Sequence, residues 1–189
     1  MPSCRWYVAI VLLLLQIPLF SLAANCQEAS IEYIILTNDE TDLILYFSVV
    51  DCFSPKLEQA ILNGLPVTFR FHVDLYKKRS FWYDKLLESS QISHSMEYDL
   101  LKKEFHVTLE ERKSINHTTR DFQEAKRLMA DVDRFSVIPM EQLEKNQGYY
   151  LRIRAKLAPI RLPFYLDFFL FFVPKWEFET KWFVKEFIY

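Results

Sequence analysis

Glycine is almost missing from this chain: Gly64 and Gly148 are the only two in 189 residues. The dinucleotide fingerprint and the P-loop each need several glycines within a few positions, so phosphate-cradling loops of those kinds are excluded. An excess of charge of one sign is missing too. The formal charge is −2, with 23 basic and 25 acidic residues mixed along the sequence. No basic stripe can be read from it, which argues against a nucleic-acid partner, because phosphate neutralisation supplies most of that affinity. No serine lies in a nucleophile elbow and no cysteine pairs with a histidine motif, so no catalytic or cofactor-binding residue is assigned. Internal repeats and Pro- or Ser-rich linkers are also lacking. What remains, 51% hydrophobic and 25% charged residues, is the composition of one globular domain with a substantial core.

The first residues read as an export signal. Arg5 is the only fixed charge ahead of the apolar run YVAIVLLLLQIPLFSLAA. Pro18 breaks the helix just before Ser21-Leu22-Ala23, which offers small residues for cleavage after Ala23. Residues 1–23 are therefore expected to be a signal peptide or an N-terminal anchor, and residues 24–189 a single β-rich domain. Cysteine usage agrees with export. Once Cys4 leaves with the leader, Cys26 and Cys52 form an even pair in an oxidising compartment. The runs IEYIILT and LILYFSVV flank turn chemistry in Asn38-Asp39-Glu40-Thr41-Asp42. A hairpin with Thr37 facing Asp42 sets Cys26 almost opposite Cys52, so the two are a disulfide candidate.

Alternation of apolar and polar residues recurs along the rest of the chain. Val67, Phe69, Phe71, Val73 and Leu75 share one strand face, opposite Thr68, Arg70, His72, Asp74 and Tyr76. Leu151, Ile153, Ala155 and Leu157 alternate with Arg152, Arg154 and Lys156 in the same way. Phe105, Val107 and Leu109 point inward, and ISHSMEYDL before them is the predicted hairpin partner. One dry and one wet face is the signature of antiparallel sheets. Two short helices are predicted between strands. One is capped by Ser54-Pro55 and stopped by Asn63-Gly64; the other, after Asp121, carries Phe122, Ala125, Leu128, Met129 and Val132 on one stripe. The predicted fold is mainly β, an antiparallel β-sandwich of seven to eight strands with two or three short connecting helices; an α+β arrangement is the alternative.

The longest apolar stretch of the mature chain is Phe164 to Val173, nine apolar residues in ten. Leaving nine such side chains bare would forfeit on the order of 13–27 kcal/mol, more than the roughly 5–15 kcal/mol by which a domain is stable. Pro163, Asp167 and Pro174 confine the run to half of the ~20 residues that a spanning helix needs. The expectation is a short helix or bend whose phenylalanines close one end of the sheet core. A peripheral membrane contact or a hydrophobic-ligand pocket is the competing use of the cluster Phe164, Phe168, Phe169, Phe171, Phe172, Trp176 and Trp182. Trp176 and Trp182, together with Phe178 and Val184, are placed on the inward face of a last strand.

Polar clusters give weaker signals. His94 and His106, with Glu97 or Glu104, form a metal site on paper, but His94 alternates with Ile92 and Met96 as a packed residue while His106 alternates outward with Glu104, so no metal ligands are assigned. His72 and Asp74 read as a surface pair. DLYKKRSFWYDK reads as a strand end with solvated lysines and Trp82 packed inward, an anionic-lipid contact being the sharper alternative. Asn116-His117-Thr118 is a formal glycan acceptor and reads as a polar loop.

Three stretches together, LEQAILNGLPVTFRFHVDLYKKRSFWYDKLL, MEYDLLKKEFHVTL and YYLRIRAKLAPIRLPFYLDFFLFFVPKWEFETKWF, resemble the bacterial domain-of-unknown-function family DUF4390 from about Ile31 onward. Leu162-Pro163 before the Phe-rich run, with Trp176, Phe178, Thr180 and Trp182 after it, is the most specific part; Lys181 stands where the pattern suggests an acidic residue. The resemblance implies a small exported or membrane-anchored protein, periplasmic or held at the outer face of the inner membrane, and often encoded near a membrane sensor kinase. It brings no activity and no catalytic residues. The expected function is thus a non-enzymatic protein-interaction module of the envelope whose partner is another envelope protein, a sensor kinase among the candidates. The alternative is a binder of a hydrophobic ligand or lipid through the Phe-rich cluster.

Overall fold

A computed structural model describes residues 28–111, 114–159 and 178–189. Among these residues nine strands form two antiparallel sheets, a three-stranded one in the order β1-β2-β7 and a six-stranded one in the order β6-β5-β4-β3-β8-β9. The strands are β1 (Ser30–Asn38), β2 (Asp42–Val50), β3 (Val67–Lys77), β4 (Lys85–Asp99), β5 (Glu104–Glu110), β6 (Ser114–Thr119), β7 (Asp131–Pro139), β8 (Gly148–Leu157) and β9 (Phe183–Ile188). Helix α1 (Pro55–Leu62) joins the first sheet to the second, and α2 (Phe122–Ala130) leads back. The β-sandwich expected from the alternation is present.

The two sheets meet through the residues that alternation placed inward. Val67, Phe69, Phe71, Val73 and Leu75 of β3 are buried, as are Leu151, Ile153, Ala155 and Leu157 of β8 and Phe105, Val107 and Leu109 of β5. From the smaller sheet, Leu43, Leu45, Phe47 and Val49 of β2 join the same core. The rings of Phe47 and Phe71 meet edge to face at 5.6 Å across the interface, a geometry that places a positive ring edge against a negative face. Both helices are capped as their sequences dictate. Ser54 Oγ accepts from Leu57 N–H at 3.2 Å with Pro55 in the first turn, and Asp121 Oδ1 accepts from Gln123 N–H at 2.8 Å. Gly64 ends α1 at φ +83°, a left-handed turn that glycine adopts without strain.

Several local expectations are corrected. The stripe read into the second helix stops at Ala130, and Val132 belongs to β7, where Asp131 begins a strand that pairs with β2. Asn116 lies in β6, opposite Thr108, and accepts from its hydroxyl at 2.9 Å, so this segment is a strand and not a loop. The first hairpin is closed by Asn38 opposite Leu43, with Thr37 facing Ile44 and not Asp42. Its turn is moved along the chain by one residue because Asp39 accepts from the backbone N–H of Asp42 at 2.8 Å and of Thr41 at 2.9 Å. Those bonds hold its carboxyl below the usual range.

The last strand is out of phase with the reading that put Trp182 and Val184 inside. Glu179 bridges Lys156, whereas Phe183 pairs with Ile153, so Lys181 and Trp182 together stand opposite the single Arg154. One extra residue inverts every later side chain. Phe178 still faces the core, its ring 4.9 Å from that of Phe69, and Thr180 is buried with its Oγ accepting from Ala155 N–H at 3.0 Å. Beyond the extra residue it is Phe183 and Phe187 that pack on the core, while Val184 is exposed and Trp182 half-exposed on the outer face.

Replacing Phe71 by Ala removes the ring that links both sheets and is expected to lower stability by about 3–5 kcal/mol. Urea unfolding of the purified domain measures this; a loss under about 1 kcal/mol would mean that the sheets are held together elsewhere.

Candidate functional site

Of the residues singled out in the sequence, Phe164, Phe168, Phe169, Phe171, Phe172 and Trp176 lie outside the described residues, as do the leader and Cys26. Cys52 is buried just past the β1–β2 ladder, its Sγ 3.4 Å from the Val49 carbonyl. Burial, reinforced by Asp51 and Asp131, pushes its thiol up to about 12. Such a thiol is a poor nucleophile and an inert packing group when reduced. His94 and His106 do not converge: His94 lies in the interior opposite Leu109, and His106 faces outward opposite Glu97, 3.2 Å from the Thr118 hydroxyl.

Among the described residues, the hairpin between β3 and β4 carries three consecutive exposed aromatic side chains. Phe81, Trp82 and Tyr83 are 98%, 76% and 87% exposed, so Trp82 does not pack inward. The reason lies in the base of the loop, which uses its polar groups on itself. Arg79 N–H donates to Asp84 Oδ1 at 3.0 Å, Lys78 N–H donates to the Gly148 carbonyl at 2.9 Å, and the Gln147 amide donates to the Lys78 carbonyl at 2.8 Å. This bracing closes the neck before the aromatic residues arrive and leaves them no core to enter. Lys77 pairs with Glu144 and Lys78 with Glu186, so much of the positive charge at the neck is compensated.

A second feature is a cleft of about 590 Å³ beside α2, lined by residues of β1, β2, β5, β6, α2 and β7, among them Tyr33, Tyr46, Glu111, His117, Arg127 and Arg134. It adjoins a second cleft of about 530 Å³ on the α1 side, with which it shares Tyr33, Ser48, Arg127 and Asp131. Two irregularities shape it. On β1 the register shifts between Glu32 and Ile35, and on β7 between Val132 and Phe135, so β2 is flanked by an extra residue on both sides near Tyr46 and Phe47. Tyr33 and Arg134 absorb these insertions at φ +54°, a left-handed conformation uncommon for such side chains.

Behind the cleft, His94 is fully buried, with its ring 4.9 Å from Phe71. Its Nδ1 is 3.2 Å from the Met129 carbonyl and its Nε2 is 3.6 Å from Glu111 Oε1. Both oxygens are acceptors, whereas a neutral imidazole carries one N–H. At 3.6 Å Glu111 is a close neighbour of the ring but not a hydrogen-bond partner, and His94 Nε2 is left buried without one. Glu111 Oε1 accepts from Asp133 N–H at 3.1 Å, in the irregular part of β7. The carboxylate thereby links the interior histidine to the wall of the cleft. Sequence reading set His94 aside as a packed residue, and nothing local to it announces Glu111 or Met129 as neighbours.

A family model described as a domain of unknown function, DUF4390, matches residues 26–186. No curated protein and no solved structure matches the chain.

Two substitutions test the part played by Glu111 Oε1. Glu111→Ala strands the Asp133 N–H and is expected to cost about 1–3 kcal/mol. Glu111→Gln keeps an acceptor for that N–H, so it should stay within about 0.5 kcal/mol of the original protein. Thermal unfolding of both variants at pH 7 is the check; equal losses would remove the linking role given to the carboxylate.

Proposed function

With the match spanning most of its length, the protein belongs to the DUF4390 family, and from that premise we propose that it is a non-enzymatic, exported interaction module whose aromatic hairpin tip docks onto another envelope protein. One observation carries the reading: three consecutive aromatic side chains stand in solvent on a braced hairpin. Each such ring can bury about 150–250 Å² on binding. Tryptophan and tyrosine are the residues over-represented among binding hot spots, and a stiff platform lowers the entropy cost of ordering them. Compact clusters of this kind mark interaction surfaces more often than they mark idle ones.

The charges at the neck favour a protein over a bilayer as the occupant. Insertion of aromatic residues at an anionic membrane is normally helped by uncompensated lysines and arginines near the surface. Here Glu144 and Glu186 sit on Lys77 and Lys78, so the electrostatic contribution to lipid binding is reduced. Export rests on the leader, and the family resemblance supplies a membrane sensor kinase as the first partner to look for.

Affinity purification from the native envelope, with the full chain and with a Phe81→Ser/Trp82→Ser/Tyr83→Ser variant, tests the proposal. The tip contributes nothing to the core, so the variant should unfold within about 0.5 kcal/mol of the original. A specific envelope protein should be recovered with the original chain and fall by about tenfold or more with the variant. Equal recovery, repeated absence of any partner, or tip-dependent binding to protein-free anionic vesicles would overturn it.

A further inference from the structure

The outer face of the larger sheet gathers charge that the sequence keeps apart. Antiparallel pairing of β3 with β8 sets Arg70 opposite Lys156, His72 opposite Arg154 and Asp74 opposite Arg152. Four permanent cations thus surround one imidazole in three successive rows. Two carboxylates offset them in part: Asp74, which accepts from the Ser89 hydroxyl at 2.7 Å, and Glu179, 2.6 Å from a terminal nitrogen of Arg154. Trp182, turned outward by the extra residue before β9, lies against the guanidinium groups of Arg152 at 4.3 Å and Arg154 at 4.5 Å. Arg154 is therefore held on its far end by Glu179 and on its flat face by an indole.

Its Nε has no hydrogen-bond partner among the described residues. Arg154 Nε and His72 Nε2 are both buried without a hydrogen-bond partner, and they belong to residues directly paired across the sheet. Leaving a buried donor or acceptor unpaired costs about 1–3 kcal/mol each time. Two such atoms side by side, inside a ring of positive charge, are what an anion would satisfy. A carboxylate offers two oxygens; a tetrahedral oxyanion offers more, enough for these two nitrogens and for the arms of Arg70 and Lys156.

We propose that this face binds a phosphate-class oxyanion, seated between His72 Nε2 and Arg154 Nε, with Arg70 and Lys156 lifting to admit it and closing over it. The site is separate from the aromatic tip and does not depend on the role given to it. The groups facing His72 set the pH behaviour. Burial, then Lys156 and Arg154, hold its imidazole below the ordinary value, Asp74 opposes this, and Arg70 adds to it. A bound anion cancels the effect of the cations, so protonation and anion binding favour each other and affinity should rise as the pH falls through the imidazole range.

Nuclear magnetic resonance of the histidine rings, at constant ionic strength set with chloride, provides the test. Addition of inorganic phosphate should move the His72 ring signals saturably, with a dissociation constant of about 1 mM or tighter, while His106 and His117 stay in place. The titration midpoint of His72 should shift upward in saturating phosphate. Arg154→Lys keeps the charge and the fold but lacks the Nε–H, and should weaken binding by about tenfold or more; Arg127→Lys, beside the cleft, should not. Vesicles containing phosphatidylglycerol form the second arm: a response to vesicles alone identifies a lipid headgroup as the source, and a response to inorganic phosphate identifies a free phosphate group. Shifts that never saturate, that chloride reproduces, that Arg154→Lys leaves unchanged, or that neither arm produces would overturn the assignment.

Discussion

Phe71 sits on the middle of β3 with its ring against two others: Phe47 from the opposite sheet at 5.6 Å and the imidazole of His94 from the neighbouring strand at 4.9 Å. That three-ring contact constrains the rest of the molecule. It fixes the spacing of the sheets at the point where β2 is flanked by two irregular strands, and it holds a polar ring in an apolar interior. A buried imidazole with unmatched nitrogens would weaken the core. The main-chain carbonyl at Met129 near the end of α2 answers Nδ1, while Nε2 has only the neighbouring carboxylate of Glu111 after β5, beyond hydrogen-bond distance. Helix, sheet and cleft wall are thus tied to one interior side chain.

Much of this architecture was legible in the residues. Strict alternation over β3, β5 and β8 gave both the strands and their buried faces, because a period of two leaves one orientation when one face is dry. Ser54-Pro55 and Asp121 marked helix starts because their side chains satisfy backbone donors wherever such a helix forms. What was missed has local physical reasons. Val132 continues the apolar spacing of α2, so the chain's turn into a strand at Asp131 is invisible to periodicity. SINHTT has no dry face to reveal β6. The phase of the last strand hinges on one residue at Lys181–Trp182, and the alternation of Trp182 with Val184 pointed the wrong way. Trp82 was expected inside as part of a strand end with solvated lysines; the bonds that close the neck around Asp84 and Gly148 decided otherwise, and that to Gly148 joins residues far apart in sequence.

The candidate surfaces were less legible for the same reason. Each strand of the basic face is ordinary alone, and the juxtaposition of Arg70 and His72 with Arg154 and Lys156 follows from pairing segments about eighty residues apart. The cleft draws its walls from six elements. Two of its residues, Tyr33 and Arg134, are positioned by register shifts that no composition signals. The aromatic tip is the exception: its residues are adjacent in the sequence, and only their exposure had to be learned from the fold.

The paired irregularities around Tyr46 and Phe47 have a further effect on how molecules of this kind coexist. Among the described residues β1 and β7 are the two outer strands of the smaller sheet, and outer strands offer unpaired backbone groups on which another chain can build. A continuous run of such groups invites stacking into fibrils. An inserted residue at Tyr33 and another at Arg134 interrupts that run on both sides and adds local twist, so neither border presents a flat template. Edge-to-edge pairing of copies is thereby discouraged by backbone shape, with no demand on the side chains.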